Sequence, residues 1–506
     1  MNFDKISLTL AVFIPLVGMI GVLLVPKKNE QLAKIIALVS SGATLAVGIA
    51  ILSRYNIGTK ELQFTQNKSW IPLINARYEI GLDGIGGPML LLSMLITFTV
   101  IIYSWNNFPK PHTPKAFLAM TLLLEIGMNG TFIAQDLILF FIFFEIVLLP
   151  MFFMIGVWGG PNRKYASLKF FLFTLFGSAL MLLGFLALFF KGGKTFSITE
   201  LTAMAQSAKG LGLASSTGLI IFGGLFLGFA IKVPMFPFHT WLPDAHTEAP
   251  TQGSVILAAI LLKLGTYGFI KIAIPILPDA FHSWAPYIGG LAVIGIIYGS
   301  LCCLAQSDMK RLIAFSSVAH MGFVMLGIAT GTEFGMNAAL FGMFAHGLIT
   351  GMLFFIGGSV QHRYHTRDMA RLGGMLKQAP KLGWIFGLCA MASLGLPGLA
   401  GFWGEFPAIL SAFSPAEGLN VPLFRFYMVV AAIGTVLAAA YLLWMFQRVA
   451  FGEVNDEFKD EHIHDIHVSE WLAWVPLLAL IFVFGVYPDL LFKYFATPVA
   501  QLFGAA

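Results

Sequence analysis

Charge is scarce in this sequence: Asp, Glu, Lys and Arg make up 11% of its 506 residues, while 58% are hydrophobic. Mean hydropathy is +0.83, and a water-soluble domain does not carry so large an apolar excess. Cysteine is scarcer still. Cys302, Cys303 and Cys389 lie in apolar stretches without ligand spacing to one another or to histidine, which argues against zinc or iron–sulfur ligation. No Walker-type loop, no dinucleotide fingerprint in a strand–turn–helix setting and no haem ligand pair at a workable spacing occurs. The chain thus has no recognisable redox or nucleotide-hydrolysing site and no cofactor site of its own. The net charge of +5 contains no basic run of the kind that binds nucleic acid.

What the sequence has instead is apolar length. A spanning helix needs about 20 mostly apolar residues. About fourteen such segments fit along the chain, beginning near Ile6, Leu32, Gly87, Ala116, Leu137, Ala166, Gly218, Gly253, Trp284, Leu312, Gly335, Leu382, Phe426 and Ser469. The alternation of a β-barrel is missing, so the expected fold is all-α, a polytopic membrane protein. No Ser/Gly or Pro tract divides residues 1–506, which are read as a single membrane domain. The first span lacks a basic leader and a small-residue cleavage site and is expected to be a retained helix.

Basic residues fall in alternate loops, at Lys27, Lys28 and Lys34; Lys110 and Lys115; Arg163, Lys164 and Lys169; Lys310 and Arg311; and Arg363, Arg367, Arg371, Lys377 and Lys381. By the positive-inside rule these loops are cytoplasmic and both termini lie on the outer side. The segment from Arg54 to Asp83 carries lysines on the opposite face, interleaved with Glu61, Glu79 and Asp83. Trp70, Trp105, Trp158, Trp241, Trp284 and Trp471 stand near expected span ends, where indole rings favour the headgroup level.

Against this background the few charges inside spans are the main guide to function. Glu145 sits in LILFFIFFEIVLLPMFF, Lys232 and Lys263 in KVPMFPFHTWLPDAHTEAPTQGSVILAAILLKLGTYG, and Glu405 in LGLPGLAGFWGEF. A charge at the bilayer centre costs at least about 2.5 kcal/mol and persists where it meets a partner, a cavity or a charge pathway. At about 1.5 Å per residue Glu145 lies roughly 12 Å below the start of its span, and the other three reach comparable depth in theirs.

Two of these charges lie beside proline breaks. Pro234 and Pro237 follow Lys232 in the seventh span; Pro397, Gly398 and Gly401 precede Glu405 and Pro407 in the twelfth. Five spans separate the two breaks, so the segments run in opposite senses, and residues 116–275 and 284–448 are read as two inverted repeats. Paired broken helices in inverted repeats point to an ion path near the midplane. A lysine whose carboxylate partner moves away releases a proton and regains one on its return; Glu145 and Lys232 have the types required. The plainer alternative is a static ion pair locking two helices.

His320 and His346 fall inside the tenth and eleventh spans. Imidazole passes protons in either direction near neutral pH, so a chain from Lys263 through these histidines to Glu405 is chemically sound, although each ring alone also reads as a hydrogen-bonded core side chain. Glu125 is a further buried carboxyl, either functional or paired with a neighbour. His239, Asp244, His246 and Glu248 are expected just cytoplasmic of the seventh-span break, as a proton entrance or as a brace for the loop. EHIHDIH, from Glu461 to His467, reads as a solvated loop before it reads as a metal site.

The long segment from Lys232 to Gly268 closely resembles the signature of the antiporter-like subunits of respiratory complex I, the NADH-quinone oxidoreductase, and of multisubunit sodium/proton antiporters. FFEIVLLPMF, SDMKRLIAFSSVAHMGFV and LGLPGLAGFWGEF extend the resemblance over nearly the whole chain. It implies fourteen spans with an inverted five-helix repeat. It also implies a coupled pair at Glu145 and Lys232, a central relay at Lys263, connecting groups at His320 and His346, and a terminal protonatable site at Glu405. The sister subunits L and N and the antiporter relatives usually carry lysine where Glu405 stands, a departure that favours the redox complex over the alternative, a cation/proton antiporter subunit. The resemblance further implies that FMN, iron–sulfur clusters and quinone belong to partner subunits, and that the partners are subunits L and N, small membrane subunits and lipid. The remaining alternative is a scaffold that conducts nothing.

Overall fold

The computed structural model describes residues 3–207 and 210–503. Among them, thirteen helices are long and apolar enough to cross a membrane. The first four are α1 (Phe3–Leu24), α2 (Glu30–Arg54), α3 (Gly86–Ser104) and α4 (Pro114–Ile133). Next come α5 (Leu137–Ile146) with α6 (Leu148–Trp158), α7 (Arg163–Lys191), the short α8 (Ile198–Gln206), α9 (Ser215–Lys232) and the short α10 (Trp241–Glu248). The span Thr251–Ile276, here α11, contains two π-helical turns. It is followed by α12 (Pro278–Leu304), α13 (Met309–Ala329) and α14 (Glu333–Tyr364). The chain continues through α15 (Pro380–Ser393), α16 (Ala400–Ser411), α17 (Val421–Ala450), α18 (Val468–Val486) and α19 (Asp489–Leu502).

The fourteenth expected span is the twelfth in order, which is divided into α15 and α16. Gly395 and Gly398 take left-handed φ values of 81° and 91° between them, a conformation glycine adopts without a Cβ penalty. The remaining starts agree closely with the sequence reading, the largest offset being Pro278 against Trp284.

Three features depart from that reading. Gln63–Ile71 and Ala76–Leu82 pair as an antiparallel hairpin, β1 and β2, in the polar segment that precedes α3; its aromatic and β-branched residues suit a half-buried ribbon. A fourteen-residue helix, α19, follows the last span. Trp241 is 1% exposed, and its indole N–H donates to the Ile231 carbonyl at 2.9 Å, so it braces the seventh-span break from within instead of sitting at the headgroup level.

The core is centred on α11, α13 and α14, whose apolar windows are 94%, 100% and 100% buried. These helices are shielded from lipid by their neighbours, which allows them to carry polar side chains. Small residues set the closest approaches. Gly404 on α16 meets the Gly342 backbone on α14, a contact a larger side chain would force apart. Gly404→Val is expected to cost about 1–3 kcal/mol through overpacking, and to lower the amount of chain recovered in a thermal-stability assay of the detergent-solubilised membrane.

Candidate functional site

Each of the four mid-span charges singled out in the sequence lies beside an irregularity in its helix. Glu145 is the penultimate residue of α5, and the turn at Val147 separates it from α6. Pro150 supplies no N–H for the Ile146 carbonyl, which is where the helix yields. Lys232 ends α9, and Trp241 begins the next helix. Lys263 lies between the π-helical turns Leu257–Leu261 and Phe269–Ala273, of the kind that often marks functional sites. Glu405 is on α16 just beyond the Gly395 to Gly398 break.

The structure brings four of the six sequence-predicted residues into two hydrogen-bonded pairs. Lys263 is fully buried; its Nζ lies 2.5 Å from His346 Nδ1 and donates to the Ala258 carbonyl at 2.6 Å. His320 Nδ1 lies 2.6 Å from Glu405 Oε1. The two imidazole rings are 5.8 Å apart between centroids. A cavity of about 20 Å³ lies between them, lined by His320, His346, Thr350, Ser393 and Glu405, a volume that holds about one water. His346 Nε2 and Glu405 Oε2 are buried without a protein partner. Lysine, imidazole, imidazole and carboxyl therefore stand in series, the last three bordering a small space that is large enough for a connecting water.

Sequence reasoning did not find the groups that hold His320. Its Nε2 is within hydrogen-bond distance of Ser393 Oγ at 3.2 Å and Tyr441 O–H at 3.3 Å. Those hydroxyls come from α15 and α17, two helices apart, and no spacing in the chain announces them.

Glu145 and Lys232 are less closely joined than expected. They form no ion pair among the described residues; Lys232 Nζ stands 4.9 Å from the centre of the Phe144 ring, and Ser178 is the hydroxyl facing Glu145. Lys232 approaches Lys263 through its helix: a Cβ at Gly265 would lie 3.1 Å from Lys232 Cβ and 2.8 Å from the Phe229 carbonyl. α11 thus contributes no side chain to its crossing with α9.

Glu125 is fully buried on α4, and among the described residues neither carboxyl oxygen has a hydrogen-bond partner. The residues after the seventh-span break lie partly inside the bundle. His246 is fully buried, stacked on Phe354 at 4.4 Å, with both ring nitrogens unpartnered. Asp244 accepts from Lys169 at 2.7 Å with Arg311 at 3.7 Å, and Glu248 accepts the Asn162 N–H at 2.9 Å; these two carboxylates brace the loop.

In EHIHDIH, Asp465 caps α15 by accepting the N–H groups of Lys381 and Leu382, each at 3.0 Å. Among the described residues no group of three or more His, Cys, Asp and Glu is placed to hold a metal ion.

A helical bundle with broken spans and a row of buried ionisable groups defines the class, an antiporter-like membrane subunit. Residues 134–449 match the family described as NADH:quinone oxidoreductase/Mrp antiporter, transmembrane. NADH-quinone oxidoreductase subunit M of Rickettsia typhi is 38% identical over 502 residues, 98% of each chain. The subunit M of Rhodobacter capsulatus is 39% identical over 505 residues, covering 98% of this chain and 96% of the relative. A chain of respiratory complex I from Thermus thermophilus superposes with a TM-score of 0.86 at 29% identity, over 98% of this chain and 100% of that one. The Mrp complex from Dietzia gives 0.84 at 19% identity, over 99% and 98%, and shows the shared fold alone. The chain belongs to the NADH-quinone oxidoreductase subunit M family.

Proposed function

We propose that this chain is a proton-translocating membrane-arm subunit of an NADH-quinone oxidoreductase, and that its pathway is the row of groups described above. Glu145 and Lys232 form the switch. Conformational change arriving from neighbouring subunits alters their separation, and with it the affinity of Lys232 for its proton. Lys263 is the central relay, His346 and His320 pass the proton on, and Glu405 is the terminal protonatable site. The carrying observation is the pair of hydrogen bonds, Lys263 to His346 and His320 to Glu405, set on either side of one small cavity that both histidines and Glu405 line.

The open Glu145 to Lys232 gap suits a switch better than a lock. A static ion pair holding two helices would be in contact, whereas here a rotamer change or a small helix shift suffices to make or break the pairing. Residues 116–275 and 284–448 act as the two inverted halves, one holding the switch and Lys263, the other the histidines and Glu405. FMN, iron–sulfur clusters and quinone reside in partner subunits. Subunits L and N, the small membrane subunits and lipid surround this chain in a bacterial cell membrane, with both termini on the outer side.

Glu145→Gln tests the reading because it keeps the shape and removes the charge. The assembled complex carrying it is expected to pump fewer protons per NADH oxidised than the parent when reconstituted in vesicles. An unchanged ratio would exclude Glu145 from the pathway.

A further inference from the structure

A second polar feature leaves the relay toward the face opposite the basic loops. α11 carries Lys263, Tyr267 and Lys271 at intervals of four residues, one helical turn apart and on neighbouring positions of one face. At the far end Lys271 pairs with Asp83, each side chain being less than one-fifth exposed. The other oxygen of Asp83 accepts the N–H groups of Ile85 at 3.1 Å and Gly86 at 2.8 Å. The pair borders a cavity of about 750 Å³ beside Thr202, Gln135 and Gln501.

Tyr267 is buried between this cavity and Lys263. Its O–H donates to the Phe132 carbonyl at 2.7 Å. A Cβ placed on Gly86 would lie 3.2 Å from the Tyr267 oxygen and 3.4 Å from Asp83 Oδ1, so phenol and carboxylate converge on the same glycine. The π-helical turn Phe269–Ala273 contains Lys271 and lies between the phenol and the cavity.

We infer that the Asp83 and Lys271 pair is the outer gate of a proton route that leaves the relay at Lys263 by way of Tyr267. A proton from the Lys263 ammonium passes to the Tyr267 oxygen through a water in the intervening turn. The phenol turns its hydrogen from the Phe132 carbonyl to Asp83 and gives it up there, and the carboxyl so formed releases Lys271. The proton then passes to solvent in the cavity and the ion pair closes again; Tyr267, Asp83 and Lys271 are restored, and Lys263, left as the neutral amine, takes its next proton from the Lys232 side of the relay. This route rests on the pumping role proposed above, and it places release at α11 in addition to the Glu405 end.

Tyr267→Phe, Lys271→Met and, as a control, Lys263→Met are compared in the assembled, reconstituted complex by proton-to-electron ratio. The expected result is that Tyr267→Phe and Lys271→Met each lower the ratio, by less than Lys263→Met, which closes both release ends. In parallel, Tyr267→Cys and Lys271→Cys are exposed to a charged, membrane-impermeant thiol reagent, and both are expected to react from the outer face. A parental ratio in Tyr267→Phe and Lys271→Met beside a lowered ratio in Lys263→Met would overturn the gate alone. A parental ratio in all three would overturn the pumping role with it. If a variant fails to assemble, an inert Tyr267→Cys beside a reactive Lys271→Cys would show a closed vestibule and overturn the route.

Discussion

Lys263→Met is expected to abolish proton transfer through this subunit. The side chain is fully buried and, among the described residues, its Nζ hydrogen-bonds the Ala258 carbonyl and His346 Nδ1 alone. Methionine keeps the length and apolar stem while removing the proton carrier. A positioned acid or base contributes typically 10²- to 10⁴-fold to a proton-transfer step, so the subunit's share of pumping should fall below detection while the complex still assembles. The alternative reading, in which Lys263 only braces α14, makes an opposite expectation. Replacing a buried charge by an apolar side chain of similar volume is often neutral or stabilising, and pumping would then be retained with thermal stability equal to or above the parent. Proton-to-electron ratio and melting temperature, measured on the same preparation, separate the two.

Glu470→Ala carries the largest expected cost in stability. Glu470 stands in the first turn of α18, where its carboxylate bonds Arg363 Nη2 at 2.6 Å and Nη1 at 2.9 Å and accepts the His467 N–H at 2.9 Å. The two side chains are 2% and 6% exposed. Removing one member of a buried, multiply bonded ion pair leaves the other charge uncompensated and costs about 3–5 kcal/mol. The same change removes the capping box that starts α18, so the last span loses both its anchor to α14 and its first-turn hydrogen bond. Reduced accumulation in the membrane and a lowered melting temperature are expected. A double variant, Arg363→Met with Glu470→Leu, should recover part of the loss because no charge is then stranded. If Glu470→Ala melts with the parent, the pair is not a structural tie.

The sequence was most readable where a residue type contradicted its surroundings. Glu145, Lys232, Lys263 and Glu405 could be picked out because charge in an apolar run is costly, and the structure adds that each lies at a helix break or between π-helical turns. The spans could be counted for a related reason: lipid requires long apolar helices, which leaves a plain trace in composition. Contacts between helices leave no such trace. Ser393 and Tyr441 around His320 are ordinary residues until the fold joins α13, α15 and α17. The separation of Glu145 from Lys232 depends on rotamers and on the Phe144 ring, neither of which pattern reveals. The polar neighbours of His246 read as a loop, yet Phe354 and the bundle enclose it completely. The hairpin from Gln63 to Leu82 escaped notice because a short polar ribbon carries a far weaker signal than a span.

The central claim is that Lys263, His346, His320 and Glu405 form one relay and not two separate polar contacts. Groups that act in series are not additive: once one is removed, removing another does little more. The most direct measurement is therefore the proton-to-electron ratio of the reconstituted complex carrying Lys263→Met, Glu405→Gln and the two together. A single relay requires each change to lower the ratio and the double variant to fall no further than Lys263→Met alone. A double variant that falls to the sum of two smaller, independent losses would contradict it.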